Sequence, residues 1–383
     1  MIYLDNNSTT QTAPAVLAAM QPFLNEFYGN PSSSHSFGRI ARLALENARE
    51  QVAATLGARN TSEIVFTSGG TESTNWAFLS ALKNFPAKKR IVTTKVEHEV
   101  VARNCEKLQN YGYEIISIDV DAYGLLDLDA LSQSINENTA LVSVMQANNE
   151  TGVLFPVARI GEIVKEQSSA LFHVDGAQSV GKIPINLSST EIDLFSISGH
   201  KFHAPKGVGA LYVRDGLRLS PFLLGGGQER NQRAGTENVA SIIGLGTACE
   251  LVKNLDSQVK VRGLRDLLEN EILKKIPDTR VNGTTVSGLR LPNTTNISFA
   301  GIEGETILAH LDAQEIYVST GSACNSETHT ASSVLSAMNI SYHDAMGAIR
   351  FSLSRKSSAA EITFVLSVLP EIVEKLREIS PLK

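Results

Sequence analysis

Cysteine is scarce in this chain: three among 383 residues, at Cys105, Cys249 and Cys324. An odd, sparse count excludes a disulfide framework and suits a reducing compartment. Tryptophan occurs once, and no apolar run nears the ~20 residues that a membrane-spanning helix requires. Basic residues are not in excess either. Lys and Arg number 34 against 40 Asp and Glu, a net charge of −6, which gives no general attraction to nucleic acid or anionic membrane. The start, Met1-Ile2-Tyr3-Leu4-Asp5, lacks a basic region followed by an apolar stretch, so no signal peptide is expected and the cytoplasm is the expected location.

What is present is an ordinary globular composition, 42% hydrophobic and 19% charged, long enough for one large and one smaller domain. From Glu63 to Arg214, short apolar β-branched runs alternate with helical patterns: Ile64–Phe66, Ile91–Val92, Glu114–Ile118, Ala140–Val144 and Leu171–Val174. Runs apolar on both faces predict parallel strands covered by helices on both sides. Leu194–Ser198 and Gly209–Val213 are closer together and predict an antiparallel hairpin. Helical patterns follow to about Leu255 and then along Leu264, Leu267, Leu268 and Ile272, expected on one face. A capping box at Ser358 and Glu361 opens the last helix. The expected division is 13–255 for the large domain and 1–12 plus 256–383 for the small one.

In an open parallel sheet, ligands bind beyond the carboxyl ends of the strands. After Phe66 stands Thr67-Ser68-Gly69-Gly70-Thr71-Glu72, leading into a helix. Free N–H groups at a helix start favour an anion such as phosphate, although a plain capped turn reads the same way. After Val174 comes Asp175-Gly176-Ala177-Gln178, where a buried carboxylate needs a partner or closes an Asx-turn. After Ile197 comes Ser198-Gly199-His200-Lys201. A lysine buried at a strand end is a candidate nucleophilic amine, whereas a lone lysine is ordinarily a surface residue. A phosphate cradle, a carboxylate for a pyridinium nitrogen and an amine for a Schiff base are the three anchors of pyridoxal phosphate. His98 is a candidate to stack on the ring or move protons, and Asn149 and Gln178 are candidate donors to its hydroxyl. Cys324 lies among small polar residues, where a reactive thiol should sit, whereas Cys105 and Cys249 fall in helical patterns and read as packing residues. Arg350 could fork onto a substrate carboxylate or close a structural ion pair.

Several patterns fail. Ser198-x-x-Lys201 lacks the companions of a serine–lysine hydrolase, and the glycine pairs at 207/209, 225/227 and 244/246 lack the third glycine of a dinucleotide fingerprint. Asp119-x-Asp121-x-Tyr123-Gly124 imitates an EF-hand loop that Tyr123 and Ala130 spoil, and His200 with His203 has the wrong spacing for zinc.

Taken together, the motifs resemble the cysteine desulfurases of the NifS/IscS group, in the class-V aminotransferase family. The resemblance rests on Tyr3–Thr10, Gly29–Ser33, Phe66–Ser73, Asn148–Gly152, His173–Gln178, Ser198–Lys201, Gly225–Arg230, Arg233–Asn238 and Gly321–Cys324. It implies an α/β PLP-dependent transferase (aspartate aminotransferase) fold of type I, with a mostly parallel mixed sheet and a smaller α+β domain. It implies that Lys201 carries the cofactor in Schiff-base linkage, that His98 stacks on the ring, that Asp175 pairs with its nitrogen and that Gln178 and Asn149 contact its oxygen. Gly70, Thr71, Ser198 and His200 would hold the phosphate, with Thr236 reaching the phosphate of a neighbouring subunit in a homodimer. Arg350 would clamp the carboxylate of L-cysteine, and Cys324 would take the sulfur as a persulfide for an acceptor protein. Acceptors implied are iron–sulfur scaffolds, tRNA-thiolation enzymes or DNA-phosphorothioation enzymes, with no direct nucleic-acid contact. A selenocysteine lyase, an aminotransferase on the same fold and an inactive cofactor-binding scaffold are the competing readings. The polar stretch Ser319–Ser333 matches the group with a long catalytic loop. Thr320 and Asn325 replace the usual serine and threonine, and Thr330-Ala331-Ser332 lacks the usual proline.

Overall fold

The computed structural model describes residues 1–320 and 331–380. The chain begins with a short strand β1 (Ile2–Tyr3) and then builds a seven-stranded sheet. Its strands are β2 (Ile64–Thr67), β3 (Arg90–Thr94), β4 (Glu114–Ile118), β5 (Thr139–Met145), β6 (Leu171–Asp175), β7 (Leu194–Ser198) and β8 (Gly209–Val213). They lie in the order β2-β8-β7-β6-β5-β3-β4. Contacts from β7 through β4 are parallel; β8 is antiparallel to both β7 and β2. The expected hairpin therefore exists, and its second strand is inserted between β7 and β2. The ends of β2 and β7 still point the same way, because two reversals cancel.

Alternation along the strands explains why the sheet is covered on both faces. Ile64, Phe66, Phe172, Phe195 and Ile197 join one buried cluster, in which Val52, Leu56, Leu245 and Cys249 come from the helices Ser36–Leu56 and Val239–Lys253. Val65, Leu141, Leu171, Leu194 and Leu211 face the other way, onto Trp76, Ala77 and Phe78 of the helix Gly70–Asn84. The edge strand β4 departs from the expectation of full cover: Glu114 and Ser117 are exposed, since nothing pairs beyond it.

A second sheet of four antiparallel strands is ordered β12-β13-β10-β9, from β9 (Thr279–Val281), β10 (Thr294–Phe299), β12 (Ser319–Thr320) and β13 (Ala348–Ser352). Between β10 and β12 runs β11 (Ile316–Tyr317), which pairs in parallel with β1. Their core unites Ile2 and Leu4 with Leu264, Leu268, Ile272 and Val365. Leu267 does not join it and is 42% exposed. At 100° per residue it sits a full step round the helix from Leu268. The last helix, Ala359–Ile379, starts with the expected capping box of Ser358 and Glu361. No helix among the described residues is long and apolar enough to cross a membrane.

Candidate active site

The carboxyl ends of β2, β5, β6 and β7 open into one cleft of about 550 Å³, with β13 supplying Arg350 from the second sheet. Gly70, Thr71, His98, Asn149, Asp175, Gln178, Ser198, His200, Lys201 and Arg350 all line it, so ten of the expected site residues converge. Thr236 is exposed and lies outside this cleft. Cys324 lies outside the described residues, as do Asn325 and Thr330.

The turn after β2 owes its shape to glycine. Gly69 has φ 148°, a backbone region that side chains rarely adopt, and it caps the helix Gly70–Asn84. Gly209 of β8 lies alongside; a Cβ there would stand 2.7 Å from the Cα of Gly69. The register sets Thr67 opposite Gly209 and Gly209 opposite Ser198, which brings the helix start beside the serine at the end of β7. A Cβ on Gly69 or Gly70 would meet nothing nearer than Ser198, at 3.6 Å. The first N–H groups of the helix, which have no intrahelical acceptor, thus face open space. Glu72 braces the turn: it accepts from Ser68 N at 2.8 Å and pairs with Arg233 at 2.9 Å. Burial alone would raise its pKa, but the hydrogen bonds from Arg233 and Ser68 outweigh that and hold it below the ordinary value.

Asp175 ends β6 and is buried; its Oδ1 accepts from Ala177 N at 2.9 Å. Burial pushes its carboxyl up, against the opposing pull of that N–H, His98 and Lys201. His98 caps the helix Glu99–Asn110, its Nδ1 accepting from Val100 N at 3.2 Å. The Lys201 ammonium donates to the carbonyls of Asn7 and Ser8 at 2.7 and 2.8 Å. His200 contacts Thr9 Oγ1 at 3.1 Å through Nδ1, and burial with Lys201 and Lys206 nearby pushes it down to about 4. Arg350 donates to Asp5 at 2.6 Å, Ser8 Oγ at 2.7 Å and Asn149 O at 3.0 Å, while its buried Nε has no partner among the described residues.

The segment Asp5–Thr9 matters to the site beyond the resemblance it carries. It passes between the two sheets, meeting Lys201 through the carbonyls of Asn7 and Ser8, and His200 and Arg350 through the side chains of Thr9, Ser8 and Asp5. Only the abrupt change from Ile2-Tyr3-Leu4 to an unbroken polar run marks it in the sequence. Glu97 and Glu150 are also new. Glu97 Oε1 accepts from Thr94 Oγ1 and Met145 N, its buried Oε2 has no partner among the described residues, and burial with Asp175 nearby pushes it up to about 8. Glu150 is pushed up to about 7 by burial and accepts from Ser332 Oγ at 2.5 Å. Cys105 and Cys249 are buried, and burial pushes both thiols up to about 12, as suits packing residues.

This geometry coincides with a sequence match to aminotransferase class-V over residues 2–365. The chain belongs to the class-V aminotransferase family. Within that family it stands with the NifS/IscS-like cysteine desulfurases. A cysteine desulfurase from Trichormus azollae is 53% identical over 385 residues, spanning 100% of this chain and 95% of the relative. A solved NifS-like protein superposes with a TM-score of 0.92 at 39% identity, covering 98% of this chain and 100% of that one. A solved structure of SspA in complex with cysteine gives a TM-score of 0.82 at 34% identity, over 94% of this chain and 100% of that one.

Class-V aminotransferase membership implies pyridoxal phosphate, and the residues fit that group. The glycine-floored helix start has donors and no side chain of its own filling it, as a phosphate requires. Asp175 is a buried carboxyl facing the cleft, where a cationic ring nitrogen would compensate its charge. Arg350 lines the same cleft and brings a permanent positive charge to it.

Proposed function

We propose that this cleft removes sulfur from L-cysteine, leaving L-alanine and a persulfide on Cys324. The observation that carries the reading is the convergence of Lys201, Asp175, His98 and Arg350 on one cleft floored by the Gly69–Thr71 helix start. Gly70 and Thr71, with Ser198 and His200, would hold the phosphate of pyridoxal phosphate; Asp175 would hold its ring nitrogen, Asn149 and Gln178 its ring oxygen, and His98 its face. Lys201 would carry it covalently. When bound, that group supplies an electron sink for bonds at the substrate α-carbon.

The chain's own groups do the rest. Arg350 orients the substrate by its carboxylate. The Cys324 thiolate attacks the substrate sulfur, because the thiolate is the nucleophilic form. The new S–S bond forms as the substrate C–S bond breaks, its electron pair staying with the carbon, which a proton then converts to the methyl of alanine. Cysteine and thiol become alanine and persulfide with no external oxidant. His98 and the Lys201 amine are placed to move the protons. An acceptor protein then takes the sulfur, an iron–sulfur scaffold or a nucleic-acid sulfur-modifying enzyme.

The exposed position of Thr236, tethered through Arg233 to Glu72 beside the phosphate turn, supports a homodimer in which Thr236 serves the partner's cleft. A division into residues 13–255 and 1–12 plus 256–383 is supported by the separate core that joins Ile2 and Leu4 to the later helices, although Val334, Leu335 and Met338 pack into the larger cluster. The test of the reading is direct. With pyridoxal phosphate and a reductant, the protein should release sulfide and alanine in equal amounts from L-cysteine. Release of pyruvate with consumption of an amino acceptor would point to an aminotransferase instead.

A further inference from the structure

Lys182 is a part-buried amine that the reaction above does not use. Its Nζ donates to Gln178 Oε1 at 2.8 Å and to Asn7 Oδ1 at 3.3 Å. Gln178 in turn donates through Nε2 to Asn7 O at 2.9 Å, and that same carbonyl accepts from Lys201 at 2.7 Å. Asn7 is itself pinned, its Nδ2 donating to Asn149 O at 3.0 Å and Thr294 Oγ1 at 2.9 Å, so its Oδ1 is turned toward Lys182.

The stretch that carries Gln178 and Lys182 is firmly seated. A Cβ on Gly176 would collide with the Phe195 ring, and Gly181, at φ 73°, rests against Val252. Ser179 N bonds Gly176 O at 3.1 Å and Lys182 N bonds Ser179 O at 3.0 Å, so successive turns set the two side chains side by side.

We propose that Lys182 is a positioning residue that locks the Gln178 amide with its nitrogen toward the cleft. The reasoning is donor–acceptor matching. An ammonium only donates, and a carbonyl only accepts. Flipping Gln178 would set its NH2 against Lys182 and its oxygen against Asn7 O, losing two hydrogen bonds and opposing like dipoles. In the observed orientation one amide hydrogen goes to Asn7 O and the second is left for an acceptor in the cleft, which Gln178 lines. Burial, with Lys201 and Arg350 nearby, pushes Lys182 down to about 7. Its neutral form can accept as well as donate, so above that value the carbonyl of Asn7, which only accepts, carries the selection of orientation.

The inference rests on the reading of the cleft as a pyridoxal phosphate site, where Gln178 would donate to the ring oxygen. It is tested on the reconstituted holoenzyme with Lys182→Met, Lys182→Arg, Gln178→Ala and the double variant Gln178→Ala/Lys182→Met. Two readouts apart from turnover are the dissociation constant for pyridoxal phosphate and the pH midpoint of the bound group's visible absorption. Lys182→Met should weaken retention by roughly tenfold and raise the midpoint, because a ring oxygen that loses a donor holds its shared proton more tightly. Lys182→Arg should restore both, and the double variant should be no worse than Gln178→Ala alone. Wild-type values in Lys182→Met, or additive losses in the double variant, would overturn the proposal. Lys182→Ala is read by the same criteria, so that misfolding of the methionine variant still leaves a result. A wild-type protein that fails to bind pyridoxal phosphate would instead overturn the reading of the cleft.

Discussion

Arg350 shows how a side chain can be committed and available at once. Its terminal nitrogens hold Asp5, Ser8 and Asn149, and its buried Nε has no acceptor among the described residues. Replacing it by lysine keeps the charge and loses the planar fork. Arg350→Lys should lower kcat/KM for L-cysteine roughly 10- to 100-fold, mainly through KM, with cofactor absorbance unchanged. Steady-state kinetics at saturating cofactor check this, and an unchanged KM would remove Arg350 from substrate binding. Glu97 makes a different prediction. Its folded-state value of about 8 stands above the ordinary 4.5, so folding takes up a proton between those values and stability falls as pH rises through that window. Glu97→Gln should flatten the decline of Tm between about pH 5 and about pH 9; an unaltered slope would show that other groups cause it. At this scale the sequence was legible wherever chemistry resided in a side chain at a strand end, as with Asp175 and Lys201. It was illegible for Asn7, whose contribution to Lys201 is a carbonyl oxygen common to every residue. Lys182 and Glu97 were equally hidden, because a single charged residue reads as solvated until the fold surrounds it.

Among elements, β2 and the turn that follows it carry most of the load. Arg49 on the helix Ser36–Leu56 pairs with both oxygens of Glu229 at 2.8 and 2.9 Å, and Glu229 also accepts from Phe66 N at 2.9 Å. The pair is buried on both sides and lies directly behind the turn that holds Gly69 and Gly70. Breaking it leaves the buried Arg49 with only the half-exposed Glu46 as counter-charge. Glu229→Gln should therefore cost roughly 3 kcal/mol of stability and lower cofactor retention, as measured by chemical denaturation and absorbance. A Tm equal to wild type would contradict this. Strand order was only partly readable from the sequence. The runs of β-branched residues announced the strands, and their spacing announced the β7–β8 hairpin. That β8 inserts between β7 and β2 depends on Gly209 admitting the Gly69 backbone, a contact between residues far apart in the chain. Periodicity likewise placed Leu267 with Leu264 and Leu268, but a helix covers only one arc of the core, and Leu267 falls outside it.

At the scale of the whole molecule, two sheets with separate cores meet along the Asp5–Thr9 segment, and the cleft forms there. The acidic net charge suits transfer to protein acceptors rather than direct contact with nucleic acid. If Thr236 serves a partner's cleft, Thr236→Ala should weaken pyridoxal phosphate binding several-fold while the protein still elutes as a dimer. Elution of the wild type as a monomer would contradict the shared site. The paucity of cysteine makes the central claim unusually simple to examine, because Cys105 and Cys249 are buried thiols raised to about 12 and only Cys324 remains to carry sulfur. The deciding measurement is peptide mass spectrometry of the holoenzyme after exposure to L-cysteine without reductant. The account predicts a mass gain of one sulfur atom on the Cys324 peptide, absent from Cys324→Ser and from Lys201→Ala. Alanine release undiminished in Cys324→Ser, or sulfur carried on Cys105 or Cys249, would contradict it.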